Sequence, residues 1–220
     1  MIPAVTQQVA TYVALGDSFT AGHGGPEGER WADRLAAMLR ARNPDLVYAN
    51  LAVDGATSAA VLEQLPRGLA LGPDLVTVVC GANDVLLATR PDLAGYEARF
   101  AEILARLVAA EPRPAIMTAT APDGWQFMEL RPRTRARLDR SLSELNAATR
   151  RLAAEHGVFC LEVAGHPGLA DPANFSADGL HPSALGHQRA ATEIARALRA
   201  QLGIECDLDG GVNDGIPALP

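Results

Sequence analysis

Three polar residues in two distant segments are of the types that nucleophilic acyl transfer requires. Ser18 lies in the segment Gly16-Asp17-Ser18 directly behind the apolar run 12–15, and Asp178 precedes His181 by three residues near the other end of the chain. A serine hydroxyl becomes nucleophilic when a neighbouring imidazole takes its proton, while a carboxylate fixes the tautomer of that imidazole. We therefore predict a nucleophile, a base and an orienting acid on Ser18, His181 and Asp178.

Two further segments could stabilise the negative oxygen of a tetrahedral intermediate. Gly55 follows the apolar stretch 46–52, and Asn83 follows the apolar run 75–79. The backbone N–H groups of Ser18 and Gly55 and the side-chain amide of Asn83 are the expected donors, and loss of one such donor typically costs about 2.7–4 kcal/mol. The aspartates that adjoin these residues are expected to bond backbone N–H groups and hold the turns: Asp17, Asp54 and Asp84.

In this order, the four segments resemble the sequence blocks of the GDSL or SGNH hydrolase family, whose name lists its Ser, Gly, Asn and His. The letters fall on Ser18, Gly55, Asn83 and His181, and Phe19 stands where the family name has Leu. The blocks run from residue 16 to residue 181, so the resemblance covers most of the chain. It implies a serine acyl hydrolase that cleaves a carboxylic ester or thioester through an acyl-enzyme, with no metal or other cofactor.

A parallel sheet would bring these residues together, and the sequence predicts one. Apolar strand-like runs alternate with segments of helical period and lie at 11–15, 46–51, 75–80, 115–119 and 158–163. Helices are expected at about 92–110, 133–156 and 183–202, where apolar residues recur at spacings of three and four. The alternation predicts an α/β fold, a three-layer α/β/α sandwich like flavodoxin with a central parallel sheet of about five strands, which binds ligands at its carboxyl edge.

Length and composition favour one domain. The 220 residues, 48% of them hydrophobic, suffice for one substantial core, and a single catalytic domain is expected over 1–205. The stretch 206–220 is rich in Asp and Gly, and it predicts a flexible tail. Cys80, Cys160 and Cys206 are odd in number and widely spaced, which indicates reduced thiols, the first two of them buried.

Charge argues against one class of partner. A formal net charge of −7 and a pI near 5.2 disfavour binding to nucleic acid by bulk electrostatics. All 19 basic residues are arginine, so no lysine-based mechanism is open to the chain. The N-terminal residues show no basic region followed by an apolar one, and no apolar stretch approaches the ~20 residues of a membrane span. We therefore expect a cytoplasmic protein that acts on a small-molecule ester or thioester.

The segment behind the fourth predicted strand supplies the expected substrate pocket. Trp125, Phe127 and Met128 should lie at the same sheet edge as Ser18, where they could line an acyl or leaving-group pocket. The alternative is that these side chains pack on the adjacent helix. Among the remaining histidines, His23 is a candidate for the pocket rim.

Other interpretations remain open. Ser18 could cap the helix that follows it, a role compatible with nucleophilic attack. Asp178, His181 and His187 offer ligands for zinc, but a metal triad would leave Ser18 and Asn83 unexplained. An acyltransferase would use the same residues, and a non-catalytic binding relative would keep them as relics. Ser18 lacks the Gly-x-Ser-x-Gly surroundings of the α/β-hydrolase elbow, which argues against that neighbouring fold.

Overall fold

A single sheet brings the four sequence blocks to one edge. The computed structural model describes residues 8–123 and 125–208. The strands are β1 (Thr11–Gly16), β2 (Val47–Asn50), β3 (Leu75–Val79), β4 (Ala115–Ala119) and β5 (Phe159–Leu161). They form a parallel sheet in the order β2-β1-β3-β4-β5. The predicted α/β fold with a parallel sheet of about five strands is confirmed.

Both faces of the sheet are buried, which explains why its strands read as near-continuous apolar runs. On β1, Val13 and Leu15 belong to one hydrophobic cluster, while Tyr12 and Ala14 belong to the other. Successive side chains along a strand point to opposite faces, so each cluster lies on one side of the sheet. Val13 pairs with Val76 of β3, and this register brings the carboxyl ends of β1 and β3 side by side.

Helices cover both faces. In the described ranges they are α1 (Ser18–Ala21), α2 (Trp31–Arg40), α3 (Ser58–Leu69), α4 (Ala82–Leu86), α5 (Leu93–Val108), α6 (Pro132–His156) and α7 (Ala184–Leu202). One cluster takes its helical side chains mainly from α3, α5 and α6, the other from α2 and α7, so the sheet is the middle of three layers.

The three helices expected from the apolar periodicity are α5, α6 and α7, with ends that differ from the expectation by at most two residues. Their amphipathic pattern places the apolar stripe against the sheet, and most of the charged positions between those residues face outward. None of the helices in the described ranges is both long and apolar enough to cross a membrane.

The ordered domain extends past residue 205. Cys206 is 2% exposed and belongs to the cluster beneath α2 and α7. The Asp207 N–H donates to the carbonyl of Met38 at 3.1 Å, and Leu208 packs against the same cluster. The chain therefore returns to the core after α7, and residues 206–208 pack with the domain that the sequence predicts to end at 205. The rest of the expected tail, 209–220, lies outside the described residues.

Candidate active site

The turn that presents Ser18 is fixed by its neighbours on both sides. Gly16 ends β1 with φ 153°, and a Cβ at this position would meet the carbonyl of Val79 and the side chain of Thr20. The side-chain amide of Gln64 clamps Gly16: Oε1 accepts from the glycine N–H and Nε2 donates to its carbonyl, both at 2.9 Å. The end of β1 therefore has one conformation, and only glycine suits it.

Asp17, rather than Ser18, caps the short helix α1. Its Oδ1 accepts the Phe19 N–H at 3.1 Å, and its carbonyl accepts the N–H groups of Thr20 and Ala21. This confirms the prediction that Asp17 bonds backbone around the turn. Burial raises the pKa of Asp17 to about 7, and the bond from Phe19 only partly opposes that effect. Ser18 occupies the first helical position, where its N–H has no acceptor within its own helix.

The structure brings Ser18, His181 and Asp178 into one hydrogen-bonded row. Oγ of Ser18 lies 2.9 Å from Nε2 of His181, and Nδ1 of the same imidazole lies 2.6 Å from Oδ2 of Asp178. Ser18 and His181 are 163 residues apart in the chain, so only the fold assembles the row. Both residues stand at the carboxyl edge of the sheet, as the positions of the sequence blocks predict.

Several hydrogen-bond donors surround the Asp178 carboxylate and hold it in place. Its Oδ1 accepts the backbone N–H groups of Leu180 and His181, each at 2.9 Å, and the hydroxyl of Ser176 at 2.7 Å. Partial burial pushes the pKa of Asp178 upward, but the bonds from His181, Leu180 and Ser176 outweigh burial and hold the pKa well below its usual range. The carboxylate therefore stays ionised at neutral pH beside the imidazole.

Two groups across the site are candidates for binding an oxyanion. Asn83 is 8% exposed, and one N–H of its amide donates to the carbonyl of Ala56 at 3.1 Å. An amide nitrogen carries two hydrogens, so the second remains for a ligand. Gly55 lies on an exposed turn with φ 75°, a conformation that favours glycine. Ser18, Gly55 and Asn83 all line the same cavity.

A buried network joins the Asn83 turn to the start of α3. Asp84 is 9% exposed and accepts both the N–H of Ser58 at 2.7 Å and its hydroxyl at 2.6 Å. Arg99 completes the network by donating to the Ser58 hydroxyl at 2.8 Å and to Asp84 at 3.3 Å. As predicted, Asp84 holds the turn through a backbone N–H, and the network fixes Asn83 relative to the Gly55 turn.

The side chain of Asp54 bonds a histidine, whereas the sequence predicts that it bonds backbone N–H groups. Its Oδ2 lies 2.6 Å from Nδ1 of His23, and both side chains are about half exposed. The ring of His23 lies against that of His181, with centroids 4.3 Å apart, and His23 lines the same cavity as Ser18. The sequence predicts His23 at the rim of the pocket, but it does not reveal Asp54 as the partner of His23, because 31 residues separate the two. The only available signal was the position of Asp54 directly before Gly55.

A metal ion is poorly matched to this cluster. One ligand atom from each of His23, Asp178 and His181 lies within 4.8 Å of the others. However, Nδ1 of His181 and Oδ2 of Asp178 are 2.6 Å apart, which is a hydrogen-bond distance, and Nε2 of His181 lies against Ser18. His187, the third residue of the alternative metal triad, is fully buried, and its Nδ1 accepts the N–H of Trp31 at 3.4 Å.

The expected pocket residues occupy other positions. Trp125 is 2% exposed in the core, Phe127 lies against Phe175 with centroids 5.1 Å apart, and Met128 packs on the core. Within the described ranges, none of the three lines either of the two cavities at this edge of the sheet. Arg135 fixes their turn by donating to the carbonyls of Trp125 and Met128, both at 2.9 Å. In the described residues these three side chains therefore pack on their neighbours, as the alternative interpretation expects.

A three-layer α/β/α fold with these four blocks at the carboxyl edge of its sheet is the SGNH class of hydrolase folds. The sequence model of the GDSL-like Lipase/Acylhydrolase family matches residues 14–189, and the chain belongs to that family. This range includes every predicted site residue from Ser18 to His181.

The individual proteins to which the chain is similar share a modest part of its sequence. The chain is 33% identical to an arylesterase of Vibrio mimicus over 91 residues, which is 41% of this chain and 46% of that protein, so the match spans less than half of the relative's length. The fold is similar to LAE5, an alpha/beta hydrolase enzyme from the metagenome of Lake Arreo, at 26% identity with a TM-score of 0.66, covering 86% of this chain and 94% of LAE5.

A third comparison supports the fold alone. The psychrotrophic esterase EstA of Pseudoalteromonas sp., in a structure inhibited by monoethylphosphonate, is 20% identical with a TM-score of 0.67 and covers 88% of this chain and 98% of EstA. The shared fold extends through almost all of EstA.

Proposed function

We propose that the chain is a carboxylic ester hydrolase in which Ser18 is the nucleophile, His181 the general base and Asp178 the orienting acid. The observation that carries the proposal is the continuous row from Oγ of Ser18 through both ring nitrogens of His181 to Oδ2 of Asp178. Because Asp178 is ionised, Nδ1 of His181 carries the hydrogen, and Nε2 accepts the proton of the serine hydroxyl.

The reaction then proceeds in two halves. Oγ of Ser18 attacks the ester carbonyl while its proton moves to Nε2 of His181, and the tetrahedral intermediate collapses as His181 returns that proton to the leaving alcohol. Water next attacks the acyl-enzyme with His181 again as base, and the acid leaves as Ser18 regains its proton. Asp178 holds the ring throughout and stabilises the imidazolium.

The negative oxygen of each intermediate is bound by the backbone N–H groups of Ser18 and Gly55 and by the Asn83 amide. All three groups line the cavity of about 160 Å³ that also contains His181. The fixed conformations of the Gly16 and Asn83 turns support this role, because donors that need no rearrangement stabilise developing charge most effectively.

A small ester or thioester is the proposed substrate. Membership of an acylhydrolase family and the similarity to an arylesterase favour ester cleavage over transfer to another acceptor. The residues described contribute nucleophile, base and oxyanion donors without requiring a cofactor for any step.

Hydrolysis of p-nitrophenyl esters from acetate to palmitate tests the proposal. Ser18→Ala should lower kcat by roughly 10⁴- to 10⁶-fold. Ser143→Ala, a change to an exposed serine on α6, is the matched control and should retain activity. A phosphonate ester should label the wild-type protein at Ser18 and leave Ser18→Ala unlabelled.

Other results would replace the proposal. Activity that survives in Ser18→Ala would contradict the serine mechanism. An acyl product that appears on an added alcohol rather than on water would indicate an acyltransferase. Failure of both hydrolysis and phosphonate labelling would indicate a binding protein built on the same fold.

A further inference from the structure

A second and larger cavity, of about 190 Å³, lies beside the proposed catalytic one. It is bounded by the carboxyl ends of β3, β4 and β5 on one side and by α7 on the other, with the segment 163–175 along its edge. Residues that project apolar side chains into it include Val79, Met117, Ala119, Leu161, Ala190 and Ile194. From the segment behind β4, Ala121 and Pro122 contribute to these walls, whereas Trp125, Phe127 and Met128 do not line the cavity.

The surface inside this cavity is almost entirely carbon. Three of the charged residues along its edge are paired with neighbours: Arg189 with Asp171, Glu162 with Arg150, and Glu193 with Arg196. Among the described residues, the polar groups left at this cavity include Nε of Arg189, which is buried without a hydrogen-bond partner, and the Asp17 carboxyl in the wall beside Ser18. A ligand that enters the cavity is therefore offered apolar contact and few free polar partners. Such a space favours a hydrocarbon group over a sugar or a charged molecule.

The two cavities share a wall. Asp17, Phe19 and Ala82 line both of them, and Ser18 stands between the first two residues of that wall. The ring of Phe19 lies 5.8 Å from that of His181, measured between centroids. Phe19 occupies the position at which the family name has Leu, so this chain places a larger, flat side chain at the boundary between the two spaces.

We infer that the larger cavity binds the acyl chain of the ester whose carbonyl lies at Ser18, with the chain passing beside the ring of Phe19. This assignment rests on the proposed function and specifies its substrate class. A dry cavity of about 150 Å³ is known to bind benzene, so the volume here accommodates roughly six to eight carbon atoms. The preferred substrates are esters of medium-chain acids, and the alcohol group remains in the smaller cavity near His23.

The first test is the acyl-chain profile of kcat/KM for p-nitrophenyl esters. In the wild-type protein, kcat/KM should rise by about four-fold for each added methylene up to hexanoate, and fall again beyond octanoate. Ala190→Phe places a ring inside the cavity and should lower the ratio of kcat/KM for hexanoate to that for acetate by about ten-fold or more. Ile194→Ala enlarges the cavity and should move the preferred chain length upward.

Ala200→Leu is the matched control, because it adds a similar apolar group at an exposed position on the same helix. Its hexanoate-to-acetate ratio should equal that of the wild-type protein. A ratio that is unchanged in a folded Ala190→Phe protein, or a wild-type profile that does not rise with chain length, would overturn the assignment. If acetate hydrolysis still disappears in Ser18→Ala, the proposed hydrolase function would survive that result.

A binding experiment separates the cavity from the chemistry. Calorimetry with the Ser18→Ala protein should show ethyl hexanoate binding at least ten-fold more tightly than ethyl acetate, with a negative heat-capacity change from burial of the chain. Adding Ala190→Phe should remove the difference between the two esters. If no ester is hydrolysed but this difference is present, the pocket assignment stands and the hydrolase proposal fails. Equal binding of the two esters overturns the pocket assignment.

Discussion

Two aspartates adjoin the proposed reacting groups, and their surroundings are opposite. Asp17 precedes Ser18 and is 1% exposed, and its side chain accepts the backbone N–H of Phe19. Burial outweighs this bond and raises the pKa of Asp17 to about 7. Asp178 has a side chain 44% exposed and lies in the loop of His181. Its pKa is lowered, because its hydrogen bonds outweigh partial burial.

Hydrogen-bond donors, rather than closeness to the reacting atoms, therefore decide which of the two carboxyl groups stays ionised at neutral pH. Asp17 is nearer to Ser18 in the chain, yet burial disfavours its charge. Asp178 gains four donor contacts from a short loop, one of them from Nδ1 of His181. The first residue suits a structural cap, and the second suits the partner of an imidazole that becomes positive.

Replacing Asp178 should have the largest effect. Asp178→Asn should lower kcat for a p-nitrophenyl ester by about 10⁴-fold, because the amide no longer fixes the Nδ1–H tautomer of His181. Asp171→Asn, which alters a partly exposed aspartate of the preceding turn that pairs with Arg189, should change kcat by less than about ten-fold. Similar losses in both proteins would mean that the loop as a whole, and not the Asp178 carboxylate, supports activity.

Replacing Asp17 should instead change how the free energy of unfolding depends on pH. Folding raises the pKa of Asp17, so the folded protein binds more protons than the unfolded chain between about pH 4 and pH 7. The free energy of unfolding therefore decreases as the pH rises through that window and Asp17 ionises. Asp17→Asn keeps the cap acceptor and removes the ionisation. The free energy of unfolding of the variant, relative to wild type, should increase by about 4 kcal/mol between pH 4 and pH 8.

Denaturant unfolding at a series of pH values measures this difference. The wild-type curve alone is insufficient, because Asp178 contributes with the opposite sign: its pKa is lowered on folding, so its stabilisation is present above about pH 4 and is lost as the pH falls. A difference between the two proteins that is constant with pH would show that Asp17 is not the buried acid described here.

The Asn83 amide should have an intermediate effect on the reaction. Asn83→Ala should lower kcat by about 10²- to 10³-fold with little change in KM, since the donor acts on charge that develops only in the transition state. Asn83→Asp retains the size of the side chain but removes both N–H groups, so its kcat should fall at least as far. If Asn83→Asp keeps most of the wild-type kcat, the oxyanion is bound by other donors.

The sequence predicts the sheet, and it also marks the residues that the fold brings into the hydrogen-bonded row, because both depend on local patterns. Buried parallel strands are short apolar runs, and the glycines and aspartates that follow them are needed for the turns themselves, as the clamp on Gly16 illustrates. The pairing of His23 with Asp54 depends instead on two loops meeting across 31 residues, for which no periodic signal exists.

The pocket was harder to predict for a related reason. Trp125 has the large aromatic side chain that is typical of a ligand site, but such a ring is equally suited to the core. In the structure Trp125 lies in the core and is 2% exposed. The cavity next to Phe19 is a space left between α7 and the sheet, and its size depends on how side chains from separate elements pack. The packing of Cys206 after α7 likewise depends on long-range contacts, for which the sequence carries no local pattern.

The smallest expected effect concerns the support of Asp178. Ser176→Ala removes one of three donors to Oδ1, while the N–H groups of Leu180 and His181 remain. Because the backbone donors are fixed by the turn, kcat should fall by only about three- to ten-fold, far less than in Asp178→Asn. A loss of kcat as large as that of Asp178→Asn would mean that the Ser176 hydroxyl, rather than the backbone turn, holds the carboxylate in place. Asp178 could then no longer be contrasted with Asp17 as an acid fixed by backbone donors against an acid whose pKa is raised by burial.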